Sequence, residues 1–95
     1  MGAPKPYNGH HCWNCWNVAL WISNDEGLYN LAMEYVHKVK RGRIDKYGKE
    51  RPYTFTRAAY ALQGMLPDST PDGARYTIKA LTSALVGLAK EHNHV

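Results

Sequence analysis

Trp13-Asn-Cys-Trp-Asn-Val-Ala-Leu-Trp-Ile-Ser-Asn-Asp-Glu-Gly-Leu-Tyr-Asn-Leu31 holds all three tryptophans of a 95-residue chain. Each indole offers roughly 150–250 Å² for burial and an N–H that needs a partner. On a helix starting near 12–14 and ending near Ser23, Trp13, Trp16, Leu20 and Trp21 share one side. Val18, Ala19 and Ile22 cover the rest. A helix apolar nearly all round is either central to a fold or part of an interface. Aromatic stripes at helical spacing are mostly packing, so the cluster is expected in the core. Four short helices can scarcely enclose all of it, however. At least one indole should therefore stay partly exposed or meet a second chain, which makes Trp13, Trp16 and Trp21 candidate interface anchors and predicts a homo-oligomer.

Immediately after, Ser23-Asn-Asp-Glu26 has the spacing of a capping box. Asp25 and Glu26 also suit the positive end of a helix dipole. Leu28, Leu31, Ala32, Tyr35, Val36 and Val39 then form a continuous stripe, and Gly42 is a natural stop. Asn17 among the indoles, with Asn24 and Asp25, is expected to form a local hydrogen-bond network that sets the angle between the first two helices. Further along, Phe55, Ala58, Ala59, Leu62 and Leu66 predict a third helix over 54–66. Tyr53-Thr-Phe55 alternates like a short strand, but with nothing to pair with. Pro67 to Gly73 is a turn cluster. The last helix is expected to begin with Thr70 capping Pro71 or after Gly73, and to run to about Glu91. The fold class predicted is all-α: one four-helix domain over 1–95, with 12–95 as helical core and 1–11 as a flexible arm.

The longest unbroken apolar run, Val18 to Ile22, is too short to span a bilayer. Two cysteines one helical turn apart cannot staple distant parts of a fold, so the chain is expected in the host cytoplasm. The formal net charge of +4 argues against a DNA mimic, which must present a negative face. Seven of the twelve Lys/Arg lie between Lys38 and Arg51, against Asp45 and Glu50 as the only acids there. Lys38, Arg41, Arg43, Lys46, Lys49 and Arg51, interleaved with Tyr47 and Tyr53, have the composition of a polyanion contact. Cations would meet phosphates or carboxylates, and rings would stack on bases. The plainer alternative is a helix C-terminus, where cations belong, followed by a solvated loop.

His10, His11, Cys12 and Cys15 are the weak candidates for a metal site. Zinc needs four ligands and only Cys12-x-x-Cys15 has a recognised arrangement, so no metal or other cofactor is expected. No Ser/His/Asp arrangement, phosphate loop or His-Glu-x-x-His helix is present, and Asp25 and Glu26 point apart on a helix. An enzyme is not expected.

The string Trp16-Asn-Val-Ala-Leu-Trp-Ile-Ser-Asn-Asp-Glu-Gly-Leu-Tyr29 resembles the signature of an uncharacterised family of small phage and prophage proteins. Their pattern runs roughly Asn-Tyr-Glu-Thr-Trp-Asn-Val-x-Leu-Trp-Ile-x-Asn-Asp-Glu-Gly-Leu-Tyr. Positions 12–31 match well, Tyr7-Asn8-Gly9 matches loosely, and Thr70-Pro-Asp-Gly73 is an echo in the second half. Cys12 and Cys15 depart from the pattern. The resemblance implies a phage origin and no particular activity. The expectation that follows is an anti-defence protein, such as a CRISPR inhibitor, that neutralises a host protein or ribonucleoprotein complex by stoichiometric binding. The alternative is a protein that sequesters nucleic acid or a nucleotide signal through segment 38–55.

Overall fold

The computed structural model describes residues 13–91. The elements are α1 (Trp13–Asn24), α2 (Glu26–Arg41), β1 (Arg43–Ile44), β2 (Glu50–Arg51), α3 (Phe55–Gln63) and α4 (Ile78–Glu91). Helix α4 is the hub and packs on α1, α2 and α3. Its inner face is Ala80, Leu81, Ala84, Leu85, Leu88 and Ala89, all buried. The alanines let neighbouring backbones approach closely, and the leucines fill the space between them. The expected residues 1–11 of the arm lie outside the described residues, as do His10, His11 and Cys12. Among the described residues, no helix is long and apolar enough to cross a membrane.

The structure buries the other side of α1 from the one expected. Cys15, Val18 and Ile22 face the core, while Trp16 and Trp21 are half-buried and Trp13 is 39% exposed. The physical reason lies in size and polarity. A side that meets a closely packed, alanine-rich helix takes small or branched residues, whereas an indole N–H requires a polar partner at the rim. The Trp21 Nε1–H has one, donating to Asp72 Oδ2 at 2.9 Å.

The start of α2 also differs from expectation. Asp25, rather than Ser23, is the N-cap: its backbone is extended and its Oδ1 accepts from the Leu28 N–H at 3.0 Å. Helix α1 continues through Ser23 to Asn24, so Ser23 is still helical and exposed and cannot take the cap conformation. Glu26 is the first residue of α2 beside the helix dipole. The stripe on α2 falls as its spacing predicts, with Ala32, Tyr35 and Val36 buried and Gly42 closing the helix at φ +73°.

Helix α3 is capped by Thr54, whose Oγ1 accepts from the Arg57 N–H at 3.1 Å. It ends at Gln63 and unwinds through turns that carry Met65 and Leu66. Helix α4 begins only at Ile78, where the Thr77 hydroxyl accepts from Ala80 N–H at 3.1 Å. Thr70 therefore caps no helix. Residues 67–77 instead form a strap across α1, with an isolated antiparallel bridge between Ser69 and Arg75.

The strap is clipped to α1 by side chains one helical turn apart. The Asn14 amide pairs with the Arg75 peptide group, donating to its carbonyl and accepting from its N–H, both at 2.8 Å. Asn17, only 2% exposed, donates to Asp72 Oδ2 at 2.9 Å and accepts from the Thr70 hydroxyl at 2.7 Å. Thr70 Oγ1 accepts in turn from Ala74 N–H at 3.0 Å. Asn17 thus reaches across 53–55 residues of sequence to the strap, and not to Asn24 and Asp25 as expected. Helix α1 and the strap, far apart in sequence, meet here.

Candidate binding surface

The cation-rich segment forms the end of α2 and a small hairpin. At Gly42 the chain turns sharply, and the Gly42 N–H donates to Lys38 O at 2.9 Å. A Cβ there would stand a tight 3.1 Å from the Arg51 carbonyl, and the positive φ at this crossing of two segments favours glycine. Strand β1 then pairs antiparallel with β2, in the register Arg43 to Arg51 and Ile44 to Glu50. The hairpin was not expected from the sequence, because two-residue strands carry no alternation to read. One signal was there: Asp45-x-x-Gly48 has the residues a tight turn prefers at its first and last positions.

Asp45 organises that turn. Its Oδ1 accepts from the backbone N–H groups of Tyr47 at 2.8 Å and Lys49 at 3.0 Å. Its Oδ2 forms a 2.9 Å ion pair with Arg51 Nε. The Asp45 carbonyl accepts from Gly48, which sits at φ +81°. The hairpin's two strands contact each other, and none of the four helices makes an extended contact with either.

The expected contact residues are distributed unequally over this surface. Arg41, Lys46, Lys49 and Arg51 are exposed. Lys38 is exposed too, with its ammonium 4.8 Å from the centroid of the Tyr35 ring. Lys46 sits 5.3 Å over the ring of Tyr47, which is itself 76% exposed at the tip. Ile44, the last residue of β1, is 63% exposed. Arg43 lies on β1 opposite Arg51. Tyr53, by contrast, is half-buried and packs against the core with Phe55, so the hairpin's exposed ring is Tyr47 alone among the expected aromatics. An open groove of about 350 Å³ runs between the α2 terminus and β2, with Lys40, Arg41 and Arg51 on its walls and Glu50 as its acid.

Trp13, Trp16 and Trp21 belong to a different part of the molecule. They lie on α1, which contacts α4 and α2, and Trp21 is engaged by the strap. Cys15 is buried in the core-facing side of α1. Among the described residues, no three of His, Cys, Asp and Glu gather as a metal-binding group.

Among the described residues outside the cationic segment, Asp72 and Tyr76 have displaced ionisation. The Asn17 amide and then the Trp21 indole N–H, both donating to Asp72, hold its carboxyl below the ordinary 3.8, with desolvation opposing them. Burial, and secondarily the charge of Asp25, raises the Tyr76 phenol above the ordinary 10.0. Both residues belong to the strap and neither to the hairpin.

No curated protein and no solved structure matches the chain. A family model does match residues 3–91, and by that match the chain belongs to DUF7249, a family of unknown function.

Proposed function

We propose that this protein is a phage-encoded accessory protein that acts by stoichiometric binding in the host cytoplasm. In this reading it neutralises a host antiviral factor, a CRISPR effector complex, without catalysing a reaction. The phage origin rests on the resemblance carried by Trp16 to Tyr29. The binding mode rests on one observation: a cationic hairpin stands off the helical bundle with Tyr47 and Ile44 uncovered at its tip. Large exposed apolar groups ringed by charge are the make-up of an interface hot spot and its rim. Arg41, Arg43, Lys46 and Lys49 would face an acidic surface, Tyr47 would be the anchor, and Trp13 would serve self-association.

The test is phage plating on a host that carries an active CRISPR system. Expression of the wild-type protein should restore plaques, and the combined Arg41→Glu, Arg43→Glu and Lys46→Glu variant should not. Failure of the wild type to protect phage defeats the anti-CRISPR assignment. Equal protection by the charge-reversed variant defeats the hairpin assignment.

The exposed Tyr47 ring on a cationic loop also favours a second reading, a protein that sequesters nucleic acid or a nucleotide signal. Binding to random single-stranded oligonucleotides should then weaken by roughly 0.7 log unit per tenfold rise in salt for every phosphate contacted. Absence of binding at low salt removes this alternative.

A further inference from the structure

A cavity of about 280 Å³ opens between the end of α3 and the strap, well away in sequence from the hairpin. Its volume is at the small end of ligand sites, which run to roughly 300–1,000 Å³, so it selects for a small occupant. Leu66 and Pro67 give it an apolar side, and Asp68 and Arg75 give it one charge of each sign. The carboxylate and the guanidinium are both exposed, and no ion pair joins them.

The walls are held from behind. The Arg75 backbone is gripped by Asn14 on both its N–H and its carbonyl, and is bridged to Ser69. On the facing side, the Gln63 amide donates to the Tyr76 carbonyl at 2.8 Å and ties α3 to the strap. The backbone that carries Arg75 is therefore fixed before any ligand arrives, while the Asp68 and Arg75 side chains are exposed and open to a ligand. A ligand with one charge would satisfy one wall and desolvate the other. A phosphate would meet Arg75 favourably and Asp68 unfavourably. A small molecule that carries both charges offers each wall a partner.

We propose that this cavity binds a small zwitterion of free amino-acid size, with its carboxylate on Arg75, its ammonium on Asp68 and its apolar side chain against Leu66 and Pro67. The probes are L-leucine and two analogues that each lack one charge, leucinamide and 4-methylpentanoate. Each is titrated into the full chain while the Arg75 Nε–H and Leu66 amide signals are followed by NMR. Leucine should shift both signals saturably, and each analogue should bind about tenfold more weakly for loss of one charge-assisted contact. Arg75→Gln should erase the preference for leucine over leucinamide. Asp68→Asn should erase the preference for leucine over 4-methylpentanoate. Circular dichroism checks that both variants keep their helices. The proposal is overturned if leucine causes no saturable shift at about 10 mM, a concentration above any useful affinity for such a site. It is overturned equally if the three probes bind alike, or if inorganic phosphate shifts the same signals more strongly than leucine.

Discussion

The strap and the hairpin are each gathered around one aspartate, and the two aspartates draw their donors from different places. Asp72 is held by Asn17 and Trp21, which lie 55 and 51 positions away on α1. Asp45 is held by Tyr47, Lys49 and Arg51, at separations of two, four and six positions. The strap's bonds to Asn14, Asn17 and Trp21 exist only when α1 is already docked, so they are coupled to the folding of the whole bundle. Those of the hairpin close on themselves and can open while the helices stay packed. Regions that bind partners are commonly drawn from such locally openable segments. By this comparison, the strap is part of what the fold is and the hairpin is part of what it presents.

The largest test of that division is Asn17→Ala. The substitution removes a buried amide that serves Asp72 and Thr70 together, and leaves the Thr70 hydroxyl buried without its acceptor. A buried group stranded in this way costs about 1–3 kcal/mol, and the vacated volume adds to it. Denaturant unfolding should show a loss of about 3 kcal/mol, a large share of the roughly 5–10 kcal/mol available to a domain of this size. A loss below about 0.5 kcal/mol, the range of ordinary surface changes, would show that the strap is not coupled to the bundle.

A smaller effect, with a distinctive pH dependence, is expected for Asp72→Asn. The folded-state value of this carboxyl is lowered from 3.8. A lowered acid stabilises the fold fully above its unfolded value, and that contribution disappears as pH falls through the folded value. At neutral pH the variant should melt below the wild type. As pH falls from above 3.8 through the lowered folded value the gap should close, because the wild-type carboxyl becomes protonated as well. Melting curves across that range check it. A gap that stays constant would mean that shape, rather than charge, makes Asp72 the clip.

The same comparison explains which parts of the molecule the sequence discloses. Helix α2 is legible because Leu28, Leu31, Ala32, Tyr35, Val36 and Val39 form one stripe on an otherwise polar helix, and Gly42 can end it. Helix α1 is not legible in the same way. It is apolar on nearly all sides, so periodicity cannot say whether Trp13, Trp16 and Leu20 or Cys15, Val18 and Ile22 face inward. That choice is made by α4, whose Ala80, Ala84 and Leu88 become visible as a surface only after folding. The partners of Asn14 and Asn17 are equally hidden, because a hydrogen bond across more than fifty residues leaves no local trace. The cationic segment shows the reverse pattern: its charge density is plain in the sequence, whereas its hairpin geometry depends on Asp45, which composition counts merely as one of two opposing acids.

Asp45→Ala is the smallest expected effect on global stability and the sharpest on the hairpin. The variant loses two backbone-to-carboxylate hydrogen bonds and the surface pair with Arg51, whose own side chain is exposed. An exposed ion pair contributes little, and turn hydrogen bonds that water can replace contribute little more. Unfolding free energy should therefore change by less than about 0.5 kcal/mol. Hydrogen exchange should respond differently. The Lys49 amide, released from Asp45 Oδ1, should exchange much faster in the variant, while core amides on α4 such as Leu85 keep wild-type rates. Equal acceleration at Lys49 and Leu85 would mean that the hairpin opens only with the bundle. It would then be as much a part of the global fold as the strap, and the division between the two loops would fail.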